Sequence, residues 1–279
     1  MADRAVDLRE RLFGIDDERA IVTGAGSGIG RAVALTLVDM GLTVFGMGRR
    51  AERLGATAQE ASDGPGSFVP VVCDIRDPNT VEAAFAEVEL EGGPATALVH
   101  CAASAFPSMA EQLTPAGFRA VVSSSLEGAF FVLSRWGRAL IASGQPGAAV
   151  ALTSALAGRE TPGLAHSCAA KGGVESMVRT LAAEWGRYGL RLNAVGPGTF
   201  PTEGTNHVWE RDSVSQRMLS RIPLGRFGTT EEVVGPIVFL LSRSAQYTTG
   251  DVLVVDGGLR LADWTLIAPG DESYERVQP

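Results

Sequence analysis

The chain has 279 residues, 45% hydrophobic and 20% charged, with a net charge of −8. Length and apolar content suffice for one sizeable core, and a negative balance without a basic run argues against nucleic acid or an anionic membrane as partner. Met1–Glu18 lacks the apolar stretch of a signal peptide, no segment approaches the ~20 apolar residues of a membrane span, and Cys73, Cys101 and Cys168 lack metal-ligand spacing; a soluble, cytoplasmic protein in a reducing compartment is expected.

Short apolar runs alternate with longer helical patterns, the signature of parallel strands joined by crossover helices. Strands are expected at Ala20–Thr23, Thr43–Met47, Phe68–Cys73, Ala97–Cys101, Ala148–Thr153, Arg191–Val195 and Val252–Val255. Their Val, Ile, Leu and Ala content suits strands covered on both faces. Helices are expected near Ile29–Met40, Arg50–Ser62, Pro78–Glu91, Pro115–Ala142, Leu164–Tyr188 and Thr230–Leu241. No repeat, low-complexity tract or Pro/Ser-rich linker divides the chain. The prediction is a single-domain α/β doubly wound Rossmann fold spanning 1–279, with a lead-in over 1–18, an irregular substrate lid over 199–223 and a tail over 259–279.

The first expected strand runs into Thr23-Gly24-Ala25-Gly26-Ser27-Gly28-Ile29-Gly30, which opens the first helix. Glycines there permit a tight turn and let backbone N–H groups approach a pyrophosphate at the positive end of the helix. Gly24, Ser27, Gly28, Ile29 and Gly30 are therefore cofactor candidates. The second expected strand ends in Met47-Gly48-Arg49-Arg50, with glycine where an NAD-binding chain usually offers a carboxylate. Two guanidiniums instead suit a 2′-phosphate, so NADP(H) is the expected cofactor. Asp74, before Ile75, is placed to accept from the adenine amino group or to cap the next helix. His100-Cys101-Ala102-Ala103 closes the fourth strand beneath the cofactor, with His100 read as a packed or hydrogen-bonded residue and the thiols as core groups.

Lys171 is the one lysine among 24 basic residues. A compact ammonium with rotatable donors differs from a planar guanidinium, and the position invites a function. Ser167 lies four residues earlier, on the same helical face. His166 is its chain neighbour but falls on another face and reads as structural.

Together the glycine motif, Asp74, Ser154, Lys171, Asn193, Pro197-Gly198, Thr202, Pro223-Leu224-Gly225-Arg226 with Glu231-Glu232, and Val254-Val255-Asp256-Gly257-Gly258 resemble the short-chain dehydrogenase/reductase family over roughly Leu12 to Gly258. That family pairs a tyrosine with a lysine four residues on, a serine thirteen before the tyrosine, and an asparagine on the preceding long helix. In register, Ser154 and Lys171 are kept, while Ser167 replaces the tyrosine and Ser125 the asparagine. The resemblance makes Ser125, Ser154, Ser167 and Lys171 the catalytic candidates, and adds Cys101, Ala102, Lys171, Pro197, Gly198 and Thr202 to the cofactor site.

A phenol of pKa ~10 can be tuned to protonate a carbonyl oxygen, whereas an aliphatic hydroxyl is a far weaker acid. Serine, three residues, then lysine is similar to the 2,4-dienoyl-CoA and related enoyl-thioester reductases of the family, as are the stretches Leu181–Asn193, Pro201–Gly204 and Arg221–Arg226. Hydride delivered to the β-carbon of an unsaturated thioester generates an enolate, and a proton then goes to carbon, so a phenol on the carbonyl oxygen is not essential. The tyrosine and asparagine that mitochondrial-type members place nearby are Leu156 and Ala105 here, which suggests a bulky apolar acyl group of the cyclohexenyl kind. The expected function is NADPH-dependent reduction of an enoyl-CoA-type thioester; carbonyl reduction and a silent NADP(H)-binding protein are the alternatives. Phe106–Gln112 and the lid, with Asn206, His207 and Trp209, are expected to flank the substrate. Two long helices imply a homo-oligomer by the same resemblance.

Overall fold

The computed structural model describes residues 8, 10–15, 19–159, 161–203, 210 and 212–261. The strands are β1 (Arg19–Thr23), β2 (Thr43–Gly48), β3 (Ser67–Val72), β4 (Ala97–His100), β5 (Gly147–Leu152), β6 (Leu190–Pro197) and β7 (Val252–Val255). They form one parallel sheet in the order β3-β2-β1-β4-β5-β6-β7. Each expected strand is present: Val252–Val255 matches to the residue, and the other six are shifted by one or two residues at one or both ends. Pro70 lies in β3, an edge strand that among the described residues pairs with β2 alone, where a missing N–H can be tolerated.

Helices cover both faces because the strands are apolar on both. On one face α1 (Gly28–Asp39), α2 (Ala51–Glu60) and α7 (Thr230–Leu241) bury Val33, Leu37, Leu54, Ile237 and Leu240 against Val22, Val44 and Val99. On the other, α3 (Pro78–Leu90), α4 (Pro115–Ser143) and α5 (Ala165–Trp185) bury Phe85, Trp136 and Val178 against Ile21, Leu98 and Leu192. The doubly wound single fold follows directly from the alternation in the sequence.

Two elements depart from expectation. Helix α4 is not regular throughout: Ser123–Glu127 forms a π turn between Pro115–Val122 and Gly128–Ser143. The segment 199–223, expected to be irregular, carries α6 (Asp212–Leu219). It is short and polar, so no apolar period announces it. Asn206, His207, Trp209 and most of the tail lie outside the described residues.

Helix α4 also meets the length and hydropathy of a membrane span, with a mean hydropathy of 1.3 over its most apolar stretch, which corrects the expectation that no segment comes near one. It is a sheet-packed helix: Trp136 is buried and donates from Nε1 to Ala95 O at 3.0 Å. Arg135 on the same helix forms ion pairs with Glu82 and Glu89 of α3.

Candidate active site

The strand order reverses between β1 and β4, and a cleft of about 400 Å³ opens beyond their carboxyl ends, the usual ligand position in such sheets. The β1–α1 turn forms its floor. Gly24 has φ +74, a left-handed conformation that favours glycine. At Gly30 a Cβ would stand 2.4 Å from Gly24 O, so only glycine lets α1 start this close to the strand end. Gly24, Ser27, Gly28, Ile29 and Gly30 all line the cleft, as do Arg49, Arg50, Asp74, Ile75, Cys101, Ala102 and Thr202.

The far end of the cleft is richer in cations than expected: Arg53 and Arg76 line it with Arg49 and Arg50. Arg53 follows one turn after Arg49 and Arg50, a helical spacing that could have flagged it. Asp74 is occupied by Arg76. The guanidinium donates from Nε at 2.9 Å and Nη2 at 2.5 Å, and the Arg76 backbone N–H donates to Oδ1 at 3.1 Å. These bonds hold the Asp74 carboxyl below its ordinary range. Asp74 is not the helix cap; Asp77 is, accepting from Asn79 N at 2.9 Å with Pro78 following.

The four catalytic candidates come from three elements that meet at the other end. Lys171 is buried, and Nζ donates to Leu152 O at the end of β5 at 2.6 Å. Burial lowers its pKa to about 8. Ser154 is two residues beyond Leu152, and its hydroxyl accepts from Leu156 N at 3.1 Å, which shapes the turn after β5. Ser167 stands half-buried one turn before Lys171 on α5. Ser125 is buried in the π turn, against which α5 packs. Its hydroxyl donates to Ser104 O at 3.1 Å and accepts from Ser104 N at 3.4 Å. Ser104 and Ser124 share a hydroxyl contact of 2.5 Å and both line the cleft. π turns often mark functional positions, and this one ties α4 to the loop after β4.

Leu152, rather than Lys171, Ser154, Ser125 or Ser167, forms the cleft wall on this side. Pro197 and Gly198 also lie off the wall: Gly198 N donates to Val255 O at 2.8 Å, within the β6–β7 junction. Cys101 lines the cleft with its thiol pushed up to about 12 by burial, and Cys73 is pushed up to about 11, so both are inert core thiols. His166 is fully buried with its ring edge-on to Phe106 at 4.8 Å. The described tyrosines, Tyr188 and Tyr247, are exposed, at 41% and 106% relative accessibility, so neither brings a phenol to the cleft.

A family model described as "Enoyl-(Acyl carrier protein) reductase" matches residues 24–260. A "Probable 2,4-dienoyl-CoA reductase [(2E)-enoyl-CoA-producing]" of Bacillus subtilis (strain 168) is 36% identical, over 88% of this chain and 97% of that protein. A gluconate 5-dehydrogenase of Gluconobacter oxydans (strain 621H) is 34% identical, over 90% of this chain and 98% of that one. The crystal structure of a candidate NAD(P)-dependent gluconate 5-dehydrogenase from Beutenbergia cavernae, with NADP bound at low occupancy, superposes with a TM-score of 0.82. It is 36% identical and covers 87% of this chain and 96% of its own.

Proposed function

From membership of the short-chain dehydrogenase/reductase family, to which this chain belongs, we propose that the protein is an NADPH-dependent reductase of the C=C bond of an α,β-unsaturated acyl thioester. An oxidoreductase using a nicotinamide dinucleotide follows from the family; the finer reading rests on one observation. Ser167 lies one turn before a buried Lys171, the described tyrosines are on the surface, and the register of the family motif would put the family's phenol at Ser167.

A reaction whose oxygen need not be fully protonated fits that arrangement. When bound, NADPH would supply hydride to the β-carbon; hydroxyl donors would stabilise the resulting enolate oxygen, and a proton taken up from water would complete the α-carbon. Ser154 and Ser167 are the hydroxyls near the end of β5 suited to this role. Lys171 would hold the nicotinamide ribose, and its positive charge would favour the developing anion. Arg49, Arg50 and Arg53 would hold a 2′-phosphate, which favours NADPH over NADH. By its name the Bacillus relative is a probable reductase of a dienoyl thioester; its named (2E)-enoyl product keeps the α,β double bond, so it supports the substrate class and not the bond reduced, and the bound NADP in the Beutenbergia structure accords with the cofactor. Leu156 and Ala105 leave the acyl side apolar, which suits a bulky or cyclic acyl group.

The second reading, carbonyl reduction with Ser154 or water in place of the phenol, is favoured by the comparable identity to a gluconate 5-dehydrogenase. NADPH oxidation followed against matched enoyl- and 3-oxoacyl-thioesters separates the two. Faster turnover of the enoyl substrate is expected; clear preference for the keto compound would replace this reading with the second.

A homo-oligomer belongs to the same proposal. Only 33% of the apolar stretch of α4 is buried within the protomer, and Phe118 and Phe130 on it are exposed. A second copy packed on α4 would cover that surface. Sedimentation of the wild type and of Phe130→Glu tests it, with dissociation expected in the variant.

A further inference from the structure

Glu203 lies on the loop after β6, beside Thr202, and this loop packs over the glycine turn: a Cβ at Gly28 would stand 3.2 Å from Thr202 Cγ2. The Glu203 carboxylate accepts from Arg31 Nη1 of α1 at 3.2 Å and lies 3.7 Å from Arg53 Nη1 of α2. Arg31 Nη2 in turn donates to Glu60 at the end of α2. Two guanidiniums and two carboxylates thus form one cluster of balanced charge that joins three segments at the rim of the cleft.

Arg53 belongs to two settings at once. It lines the cleft beside Arg49 and Arg50, so a 2′-phosphate at that end would draw on the same guanidinium that Glu203 neutralises. The two contacts of Glu203 differ in kind. At 3.2 Å the Arg31 contact is a hydrogen bond that fixes the carboxylate, whereas at 3.7 Å the Arg53 contact is an ion pair without one. Glu203 therefore gives Arg53 opposing charge but no direction. A phosphate that takes Arg53 leaves Arg31 as the single cation of the cluster, facing both Glu60 and Glu203. We propose that Glu203 is a specificity-determining residue that acts against NADPH: its carboxylate competes with the 2′-phosphate for Arg53 and lowers the preference for NADPH over NADH. The inference rests on the proposed binding of that phosphate beside Arg49, Arg50 and Arg53. The Arg53 and Glu203 side chains are 39% and 59% exposed, so solvent screens the pair and the effect is a few-fold, not a hundredfold.

The test is calorimetric titration of the full-length protein with NADPH and with NADH. Glu203→Gln keeps the shape of an exposed side chain and removes its charge. It should tighten NADPH binding about three- to fivefold at low salt and leave NADH binding unchanged. The gain should fade as salt is raised, because the pair is screened. In an Arg53→Ala background the same substitution should lose most of its effect, since the contested guanidinium is gone. Equal or weaker NADPH affinity in Glu203→Gln overturns the proposal, as does an equal gain for NADH or a gain undiminished by Arg53→Ala. A wild type that prefers NADH would refute the cofactor reading alone, because the response of NADPH affinity to Glu203→Gln is read separately. No thioester enters the measurement, so its outcome is independent of the proposed reaction.

Discussion

Lys171 Nζ lies 2.6 Å from Leu152 O, so the one ammonium side chain of the molecule is pinned to the carboxyl end of β5, where that strand forms the cleft wall. This single contact joins the helix that carries Ser167 to the strand that leads into Ser154. It also sets the electrostatics of the site, because the charge is buried.

That burial has a pH consequence. The folded pKa of about 8 is below the ordinary 10.5, so between these values the unfolded chain binds more protons and stability rises with pH. Below about pH 8 both states are protonated, and the cost of burying the charge is present in full. Compared with wild type, Lys171→Met should lose this rising component in urea unfolding, most plainly between pH 8 and 9, because above pH 9 the raised thiols of Cys73 and Cys101 add the opposite slope in both proteins. An identical slope in the two proteins between pH 8 and 9 would mean that another group is responsible.

Loss of the ammonium should also reach the cofactor. Lys171→Ala is expected to weaken NADPH binding by roughly ten- to a hundredfold, the value of a charged hydrogen bond. Lys171→Arg should not restore it, because a planar fork cannot reproduce a compact, rotatable donor. Calorimetric titration of NADPH provides the comparison, and equal affinity in all three proteins would remove Lys171 from the cofactor site.

Ser167→Tyr supplies the phenol. Positioned acids contribute ~10²–10⁴-fold, so the variant should gain turnover on a 3-oxoacyl thioester by at least about a hundredfold over wild type. The assay is NADPH oxidation at saturating substrate. A folded variant with unaltered keto activity would show that more than the phenol is missing.

Arg49 and Arg50 are exposed and line the cleft. The double change to alanine should reduce the preference for NADPH over NADH by about tenfold or more, through loss of charge-assisted bonds to the 2′-phosphate. The ratio of the two kcat/KM values measures this directly. An unchanged ratio would assign discrimination to Arg53 and Arg76.

Gly30→Ala tests the floor of the cleft. A Cβ at 2.4 Å from Gly24 O must move the helix away from the turn. The expected cost is about 1–3 kcal/mol of stability, with loss of NADPH binding. Normal binding at unchanged stability would show that the turn can relax.

Residue order alone determined the alternation of strand and helix, the glycine turn and the spacing of Ser154, Ser167 and Lys171. These are local quantities, set by period and by covalent distance along the chain. Thr230–Leu241 was legible to the residue, since a capping box between Thr229 and Glu232 opens it. The π turn at Ser123–Glu127 was not legible, because three serines carry no signal for it and its partner, Ser104, is distant in sequence. The capture of Asp74 by Arg76, the clustering of Arg53 with Arg49 and Arg50, and the pairing of Lys171 with Leu152 also belong to the tertiary structure. Each depends on how separate elements pack and on how much water that packing excludes. Spacing could nominate Lys171, but only burial at the end of β5 lowers its pKa and ties its ammonium to Leu152 O.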